Sequence, residues 1–446
     1  MSIDRRNIAM TETIRARAQA LLPELTAIRR DFHRFAEPGW MEMRTTSLLA
    51  RRLTDLGYEV LTGPAVCKAD ARMGLPSADA LEAHYKWAQE NGADPEFLPV
   101  TRGGFTGVIA TLHCGEGPTV ALRFDIDALG VLEASDETHL PHREGFASVM
   151  PGVMHACGHD GHAAVGIGTA MLLRELRGQL HGTVRLIFQP AEEGVRGASS
   201  VVAAGHLDGA DYALAAHVFP AGKAAGLVDI GVLKENGQGG LAISKLDVTF
   251  RGRSAHAGIA PQEGRNALLA AATAVLNLHA IPRFGSTPTQ LNVGTLHAGT
   301  GRNVICETAK LELEVRGQTT EANEYMLRRA QQIVKSAAEM QDCTVETQAM
   351  GHAAALTCDW TLSERVERVC KETLGLRVMR VGSLGGGSED FSSMAQRVQQ
   401  QSGQAAYVGL LCACPAANHN DHFDFDEQAL ANGAAMFTAV TASLLA

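Results

Sequence analysis

Residues 155–162 read His155-Ala-Cys157-Gly-His159-Asp160-Gly-His162, the densest run of metal-competent side chains in the sequence. Cysteine and histidine are ligands for first-row transition metals, and Cys-x-His in a glycine-punctuated turn lets two side chains face one ion. A second element, Gln189-Pro-Ala-Glu192-Glu193-Gly194, sets two adjacent carboxylates just past the apolar run Thr183–Phe188. Neighbouring side chains in an irregular turn can point apart. One glutamate can then bind a metal while the other acts as base and acid toward a water that the metal activates. Two further apolar runs end on competent groups: Thr119–Phe124 leads into Asp125-Ile-Asp127, and Tyr212–Ala216 leads into His217. Singly, each has a plainer role, a helix cap for the aspartates and a satisfied core histidine for His217. Four such groups at successive strand ends point jointly to a metal site.

The elements that must position these residues follow from periodicity. Residues from Thr11 to about Leu56 read as amphipathic helix, with apolar positions at Leu21, Leu22, Leu25, Ile28, Leu48, Leu49 and Leu53. Cys67–Gly104 is a polar, Gly/Pro-punctuated insertion with a short helical stretch near Ala80–Glu90. The three apolar runs have the length of buried strands, and the first two are separated by a helical stretch, Gly161–Leu176. That alternation predicts an α/β fold with a mainly parallel sheet. The glycine cluster Gly237–Gly240 marks a hinge. Beyond it come strand Ala242–Phe250, helix Glu263–Ala280, strand Gln290–His297, strand Cys306–Val315, helix Thr320–Met340 and strand Cys343–Gln348. This β-α-β-β-α-β order predicts an inserted ferredoxin-like domain of about a hundred residues. The α/β texture then resumes with a helix at Thr361–Leu374, a glycine-rich loop at Gly382–Ser388, a strand at Ala405–Leu410 and a helix at Asp426–Leu445. The expected organisation is a discontinuous catalytic domain, 1–238 and 350–446, split by a dimerisation or lid domain, 239–349.

Composition narrows the partners. The 446 residues are 46% hydrophobic and 20% charged, which excludes disorder and fibrous repeats. A formal net charge of −10 leaves no electrostatic footprint for nucleic acid or anionic lipid. No uninterrupted apolar run approaches the ~18 residues of a membrane span. The N-terminal stretch lacks the apolar region of a secretory leader, and nine scattered cysteines do not suggest a disulfide framework. A reducing cytoplasm is expected. Cys412-Ala-Cys414 reads as two buried thiols, and Gly385–Gly387 lacks the Gly-Lys-Ser/Thr of a phosphate loop.

The inserted domain carries Gly252-Arg253-Ser254-Ala255-His256-Ala257-Gly258, then Gly301-Arg302-Asn303-Val304, and Arg316 at the end of the strictly alternating Ala309–Arg316. Arg316 shares a polar strand face with Lys310, Glu312 and Glu314. It reads either as a surface ion pair, worth little, or as a guanidinium fork for a carboxylate.

The string MHACGHDGH, with RFDIDAL before it and QPAEEG after it, resembles the co-catalytic metallopeptidase–amidohydrolase family of aminoacylases, hippurate hydrolase and auxin-conjugate amidohydrolases. GRSAHAG, GRNVI, GSEDF and NHNDHFDFDEQAL extend the resemblance along most of the chain. The insertion segments Arg72–Pro76 and Gly103–Gly107, with the FDFDEQ ending, are similar to the branch that acts on aminobenzoyl-glutamate. The resemblance implies Cys157, His159, Glu193, His217 and His419 as ligands of two divalent metal ions, Mn or Zn. It implies Glu192 as general base and acid and Asp127 as the residue orienting a ligand. It further implies His256 as a residue polarising the scissile carbonyl in a neighbouring protomer, and Asn303 and Arg316 as binders of the substrate's carbonyl and carboxylate. Peptidase members carry His-x-Asp after the first catalytic strand and a bridging aspartate further on. Asp125 and Cys157 take those places here. A thiolate favours Zn by softness, whereas the branch is often Mn-dependent.

The implied reaction is hydrolysis of an N-acyl or N-aroyl amino acid, foremost p-aminobenzoyl-glutamate, by a homodimer paired edge to edge through the inserted domains. The alternatives are a dipeptidase or an aminoaromatic deaminase on the same metals, or one chain of a heteromer that works only with a paralogous partner.

Overall fold

The computed structural model describes residues 5–384 and 387–446, and side chains from residue 13 onward. Gly385 and Gly386, within the expected glycine-rich loop, lie outside the described residues. In chain order the strands are β1 (Glu59–Thr62), β2 (Val108–His113), β3 (Thr119–Asp125), β4 (Thr183–Gln189), β5 (Tyr212–Pro220) and β6 (Ile230–Gln238). They continue with β7 (Ala242–Arg251), β8 (Thr289–Ala298), β9 (Thr308–Gly317), β10 (Thr344–Ala353), β11 (Val378–Ser383) and β12 (Gln404–Cys412). The longer helices are α1 (Arg5–Arg34), α2 (Met43–Asp55), α3 (Ala78–Glu90), α4 (His159–Leu176), α5 (Ala267–Leu278), α6 (Thr320–Glu339), α7 (Trp360–Arg368), α8 (Phe391–Gln400) and α9 (Gln428–Leu445). The chain divides into two compact units. One holds residues up to 239, 357–386 and 390–446, the other 240–356 with 387–389.

The first unit is built on an eight-stranded sheet of order β1-β2-β4-β3-β5-β12-β6-β11. Its centre, β4-β3-β5-β12, is parallel, and β6 and β11 are parallel to each other. β2 is antiparallel to β1 and β4, and β6 is antiparallel to β12. Helix α4 is buried along nearly its whole length. Gly166 brings it down onto the sheet: a Cβ there would stand 2.5 Å from the Phe188 ring. Phe124, Phe188 and Phe437 pack beside it with ring centroids 4.9–5.4 Å apart. Each such fully buried aromatic contributes roughly 2–3 kcal/mol.

Polar contacts inside this core also set where α4 begins. Arg29 of α1 is fully buried and donates from Nε to Asp160 Oδ2 at 2.8 Å and from Nη2 to Asp424 Oδ1 at 2.6 Å. His33, one turn on, meets the same Asp160 oxygen through Nδ1 at 2.8 Å and Glu133 through Nε2 at 3.0 Å. Burial pulls the His33 ring down, but Asp160 and Glu133 outweigh it and raise it to about 9. The first turn of α4, on which His159 stands, is thereby pinned to α1.

Several elements differ from their expected bounds. The stretch Thr11–Leu56 is two helices, because Pro38 and Gly39 interrupt the pattern and Trp40 adopts a left-handed φ of 67°. β5 runs to Pro220 rather than stopping at Ala216, since its pairing with β12 continues register by register to Cys412. His217 therefore lies within the strand. β1, β2, β6 and β11 have no counterpart in the sequence reading. They are short or partly polar, as in the exposed Lys234–Asn236 end of β6.

The second unit is a four-stranded antiparallel sheet of order β10-β7-β9-β8 with α5 and α6 packed on it, the ferredoxin-like order. α5 begins at Ala267, not Glu263. Asn266 caps it by accepting from the N–H groups of Leu268 and Leu269, after a separate turn at Pro261–Glu263. β9 alternates buried with exposed or half-buried residues along its length, its apolar face continuing that of Val248 and Phe250 on the neighbouring β7 and clustering with Ala270 and Val334 of the two helices. β10 runs on to Ala353, and Gly240 bridges to Leu356.

Candidate metal centre

Ligands of open α/β sheets collect outside the carboxyl ends of parallel strands. Here β4, β3, β5 and β12 are neighbours, and all four bring side chains to that edge. β3 ends on Asp125, with Asp127 two residues on. β4 leads into Glu192 and Glu193, His217 lies late in β5, and the segment after β12 carries His419. The N-terminus of α4 adds His159, with Cys157 in the turn before it.

These side chains converge. Cys157 Sγ lies 3.3 Å from His217 Nε2 and 3.4 Å from His419 Nε2. Glu193 Oε1 lies 3.6 Å from His419 Nε2 and 3.9 Å from His159 Nε2, and Glu192 Oε2 lies 4.0 Å from His159 Nε2. Two ligand-sized groups, Cys157/His159/His217 and Cys157/Glu193/His419, share the Cys157 thiol, and His159/Glu192/Glu193 forms a third. All five expected ligands thus meet in one place.

The donor chemistry fits divalent cations. His159 Nε2 and Glu193 Oε1 are buried with no hydrogen-bond partner, an arrangement costly to leave unfilled. His217 donates from Nδ1 to the Val218 carbonyl at 2.7 Å, which leaves the Nε2 lone pair facing Cys157. Asp127 and Glu193 have no lysine or arginine partner among the described residues. Burial pushes Glu193 up to about 7 against the pull of His159, and burial with Glu193 pushes the Cys157 thiol up. Burial alone would lower His159, but Asp125, Asp127 and Cys157 hold it well above its ordinary value. Bound cations invert such shifts by favouring the thiolate, the carboxylate and the neutral imidazole.

The backbone of the site is held by buried carboxylates. Asp127 accepts from the N–H groups of Glu192 at 3.0 Å and Glu193 at 2.9 Å, and its Oδ1 stands 3.4 Å from His159 Nδ1. Ala191 and His419 both take left-handed φ values, 52° and 67°. Such strain in non-glycine residues gathers at functional sites. The His419 N–H bonds the Ala156 carbonyl at 2.7 Å, tying it to the Cys157 turn. Asp125 is not available in the same way. Arg123 Nη1 donates to it at 2.5 Å, and His162, whose Nε2 accepts from the Val218 N–H, faces it with Nδ1. Arg123 is not among the expected site residues, although an arginine inside the apolar run TVALRF is itself a signal for buried carboxylate partners.

His256, Asn303 and Arg316 belong to the second unit. There the two loops join: the Ala257 N–H bonds the Asn303 carbonyl at 3.0 Å and the Ile305 N–H bonds the Ala255 carbonyl at 2.9 Å, so His256 and Asn303 stand side by side and exposed. The N–H groups of Gly258 and Ile259 donate to His256 Nδ1 at 3.1 and 3.2 Å, which leaves the ring's proton on Nε2. Arg316 is engaged by Glu314 on its own strand, Nε to Oε1 at 2.8 Å and Nη2 to Oε2 at 3.3 Å. Among the described residues no helix is long and apolar enough to cross a membrane.

Known proteins match this arrangement closely. The chain is 45% identical over 416 residues, 92% of its length and 93% of the relative's, to an indole-3-acetyl-aspartic acid hydrolase of Enterobacter agglomerans. It is 44% identical over 423 residues, 94% of its length and 95% of the relative's, to one of the subunits of the p-aminobenzoyl-glutamate hydrolase of Escherichia coli strain K12. An aminobenzoyl-glutamate utilization protein from Klebsiella pneumoniae superposes with a TM-score of 0.80 at 38% identity, over 96% of this chain and 97% of that one. A dinuclear metal binding peptidase of the M20 family from Bacillus subtilis superposes with a TM-score of 0.65 at 27% identity, over 96% and 99%. With that neighbour and two ligand groups sharing Cys157, the centre is one for two divalent ions. Residues 121–443 match Peptidase family M20/M25/M40, well over half of the sequence. The chain therefore belongs to peptidase family M20/M25/M40, as a metallo-amidohydrolase that acts on amide bonds.

Proposed function

We propose that the protein cleaves the amide between an aromatic acyl group and an acidic amino acid, with p-aminobenzoyl-glutamate the foremost substrate. The observation that carries the reaction is the Glu192–Glu193 pair, held by Asp127 against Cys157, His159, His217 and His419. The acidic amino acid is argued from two relatives, whose names give indole-3-acetyl-aspartic acid and p-aminobenzoyl-glutamate.

Cys157, His159, Glu193, His217 and His419 hold the two ions, Mn or Zn. When bound, they activate water and polarise the scissile carbonyl. Glu192 takes the proton from the attacking water and returns it to the departing amine, so the amide C–N bond breaks as a carboxylic acid and a free amine form. Asp127 fixes both glutamates through their backbone. His256 donates its Nε2–H to the carbonyl oxygen as charge develops there, a contact of the kind worth roughly 10²–10³ in rate. Asn303 binds the substrate's carbonyl, and Arg316 takes its terminal carboxylate after releasing Glu314. A substrate panel tests the class. Aroyl-glutamates and acyl-aspartates are expected to be turned over at least about tenfold faster, by kcat/KM, than acyl derivatives of neutral amino acids. Fastest turnover of dipeptides, or ammonia released from aminoaromatics, would refute it.

We further propose that the protein acts as a cytoplasmic homodimer in which His256 serves the partner's centre. Mixing inactive His256→Ala and Glu192→Ala chains is expected to restore a part of wild-type activity, up to about a quarter for statistical dimers with one intact site. No recovery in verified mixed dimers contradicts this. The E. coli relative is named as one component of a multi-subunit hydrolase, which favours one second reading, activity only with a paralogous partner. Turnover by the purified chain alone separates the two.

A further inference from the structure

Three buried carboxyl groups outside the ligand set hold the segment that carries Glu192 and Glu193. Asp127 holds its middle. At its far end Asp390, itself fixed by Gln189 Nε2 at 2.9 Å and Arg123 Nη2 at 3.2 Å, accepts from the N–H groups of Gly197 at 3.2 Å and Ala198 at 2.9 Å. At its near end Glu42 Oε1 accepts from the Ala191 N–H at 2.7 Å, and Thr106 Oγ1 donates to Glu42 Oε2 at 2.6 Å.

The near end is the strained one. Ala191 is left-handed at φ 52°, a conformation that costs a non-glycine residue on the order of 1–2 kcal/mol and persists only where its surroundings impose it. Glu42 is fully buried, beside the start of α2, and no lysine, arginine or histidine lies within ion-pair reach of it among the described residues. Burial and the charge of Asp127 push its carboxyl up to about 8. A group in this setting contributes through its two hydrogen bonds rather than through an ion pair.

We propose that Glu42 is a positioning residue for the amide hydrolysis: through the Ala191 N–H it holds the left-handed turn that aims Glu192 at the substrate and Glu193 at the metal centre. This rests on the roles proposed above for those two glutamates. The neutral side chain of glutamine keeps the Ala191 contact through its carbonyl and keeps Thr106 as a partner with the direction reversed, its amide donating to the hydroxyl that donates to Glu42. Alanine reproduces neither, and aspartate falls one methylene short of Ala191.

The test is kcat, KM and ion content for metal-loaded Glu42→Gln, Glu42→Asp and Glu42→Ala, with Glu192→Gln as reference. Glu42→Ala and Glu42→Asp are expected to lose roughly 10–100-fold in kcat, the range found for residues that orient a metal site's machinery. KM is expected to stay within about threefold, and Glu42→Gln to keep kcat within about threefold of wild type. If Glu42→Ala does not fold, Glu42→Asp carries the same reading. Wild-type kcat in a folded Glu42→Ala or Glu42→Asp overturns the proposal, as does a loss in Glu42→Gln equal to theirs. An active Glu192→Gln instead overturns the function on which the proposal rests, so the two failures are distinguishable.

Discussion

Glu192→Gln is expected to lower kcat by about 10³-fold while leaving KM and ion content close to wild type. General acid–base catalysis by a placed side chain contributes roughly 10²–10⁴, and Glu192 is proposed to move the proton twice, from water and then to the amine. The amide of glutamine keeps the side-chain volume and the Asp127 contact, which is made by the Glu192 backbone N–H and not by its side chain. What disappears is the proton acceptor. Steady-state kinetics on the metal-loaded variant, with elemental analysis of the same sample, reads both quantities. A variant with normal ion content and wild-type kcat would remove Glu192 from the mechanism.

Removing the ions is expected to abolish turnover and to lower the unfolding temperature by several degrees, with both restored by adding Mn or Zn. Without cations the centre buries Asp127 and Glu193 with no lysine or arginine partner among the described residues, and leaves His159 Nε2 and Glu193 Oε1 without hydrogen bonds. Breaking the compensation of a buried charge is strongly destabilising. A ligand bound only by the folded state contributes on the order of 4 kcal/mol when present at a thousand times its Kd. His159→Ala is expected to have the same effect on ion content, because His159 faces both glutamates and Asp127. Calorimetry of chelated and reloaded protein reads the shift, and an unfolding temperature indifferent to the ions would contradict the account of the centre.

What was legible in the sequence was the chemistry concentrated in short segments. Cys157 and His159 were visible as a Cys-x-His pair in a glycine-punctuated turn, and the Glu192–Glu193 pair and His217 because buried strands announce themselves as apolar runs, at whose ends a polar group has few plain reasons to be. His419 came only through family resemblance, since nothing around it is apolar and periodic. Long-range pairing was less legible. The polar end of β6 hid a strand whose place is set by β12 and β11, and β5 outran its apolar core because β12 continued beside it. Arg316 shows the limit for side chains: its strand face was readable from the alternation, but its engagement by Glu314 depends on rotamers that no spacing encodes. Glu42 was illegible for the same reason. It lies about 150 positions from Ala191, and only the fold brings the two together.

Metal-dependent hydrolysis of an aroyl-glutamate is the activity proposed for this chain. The most direct measurement is release of p-aminobenzoate from p-aminobenzoyl-glutamate by the purified chain, stripped of metal and then reloaded with Mn or Zn. Saturable release is expected from the reloaded chain, none from the stripped chain, and about 10³-fold slower release from Glu192→Gln carrying the same ions. Equal release from stripped and reloaded protein, or no release from the reloaded chain in the presence or absence of a paralogous partner, would contradict it.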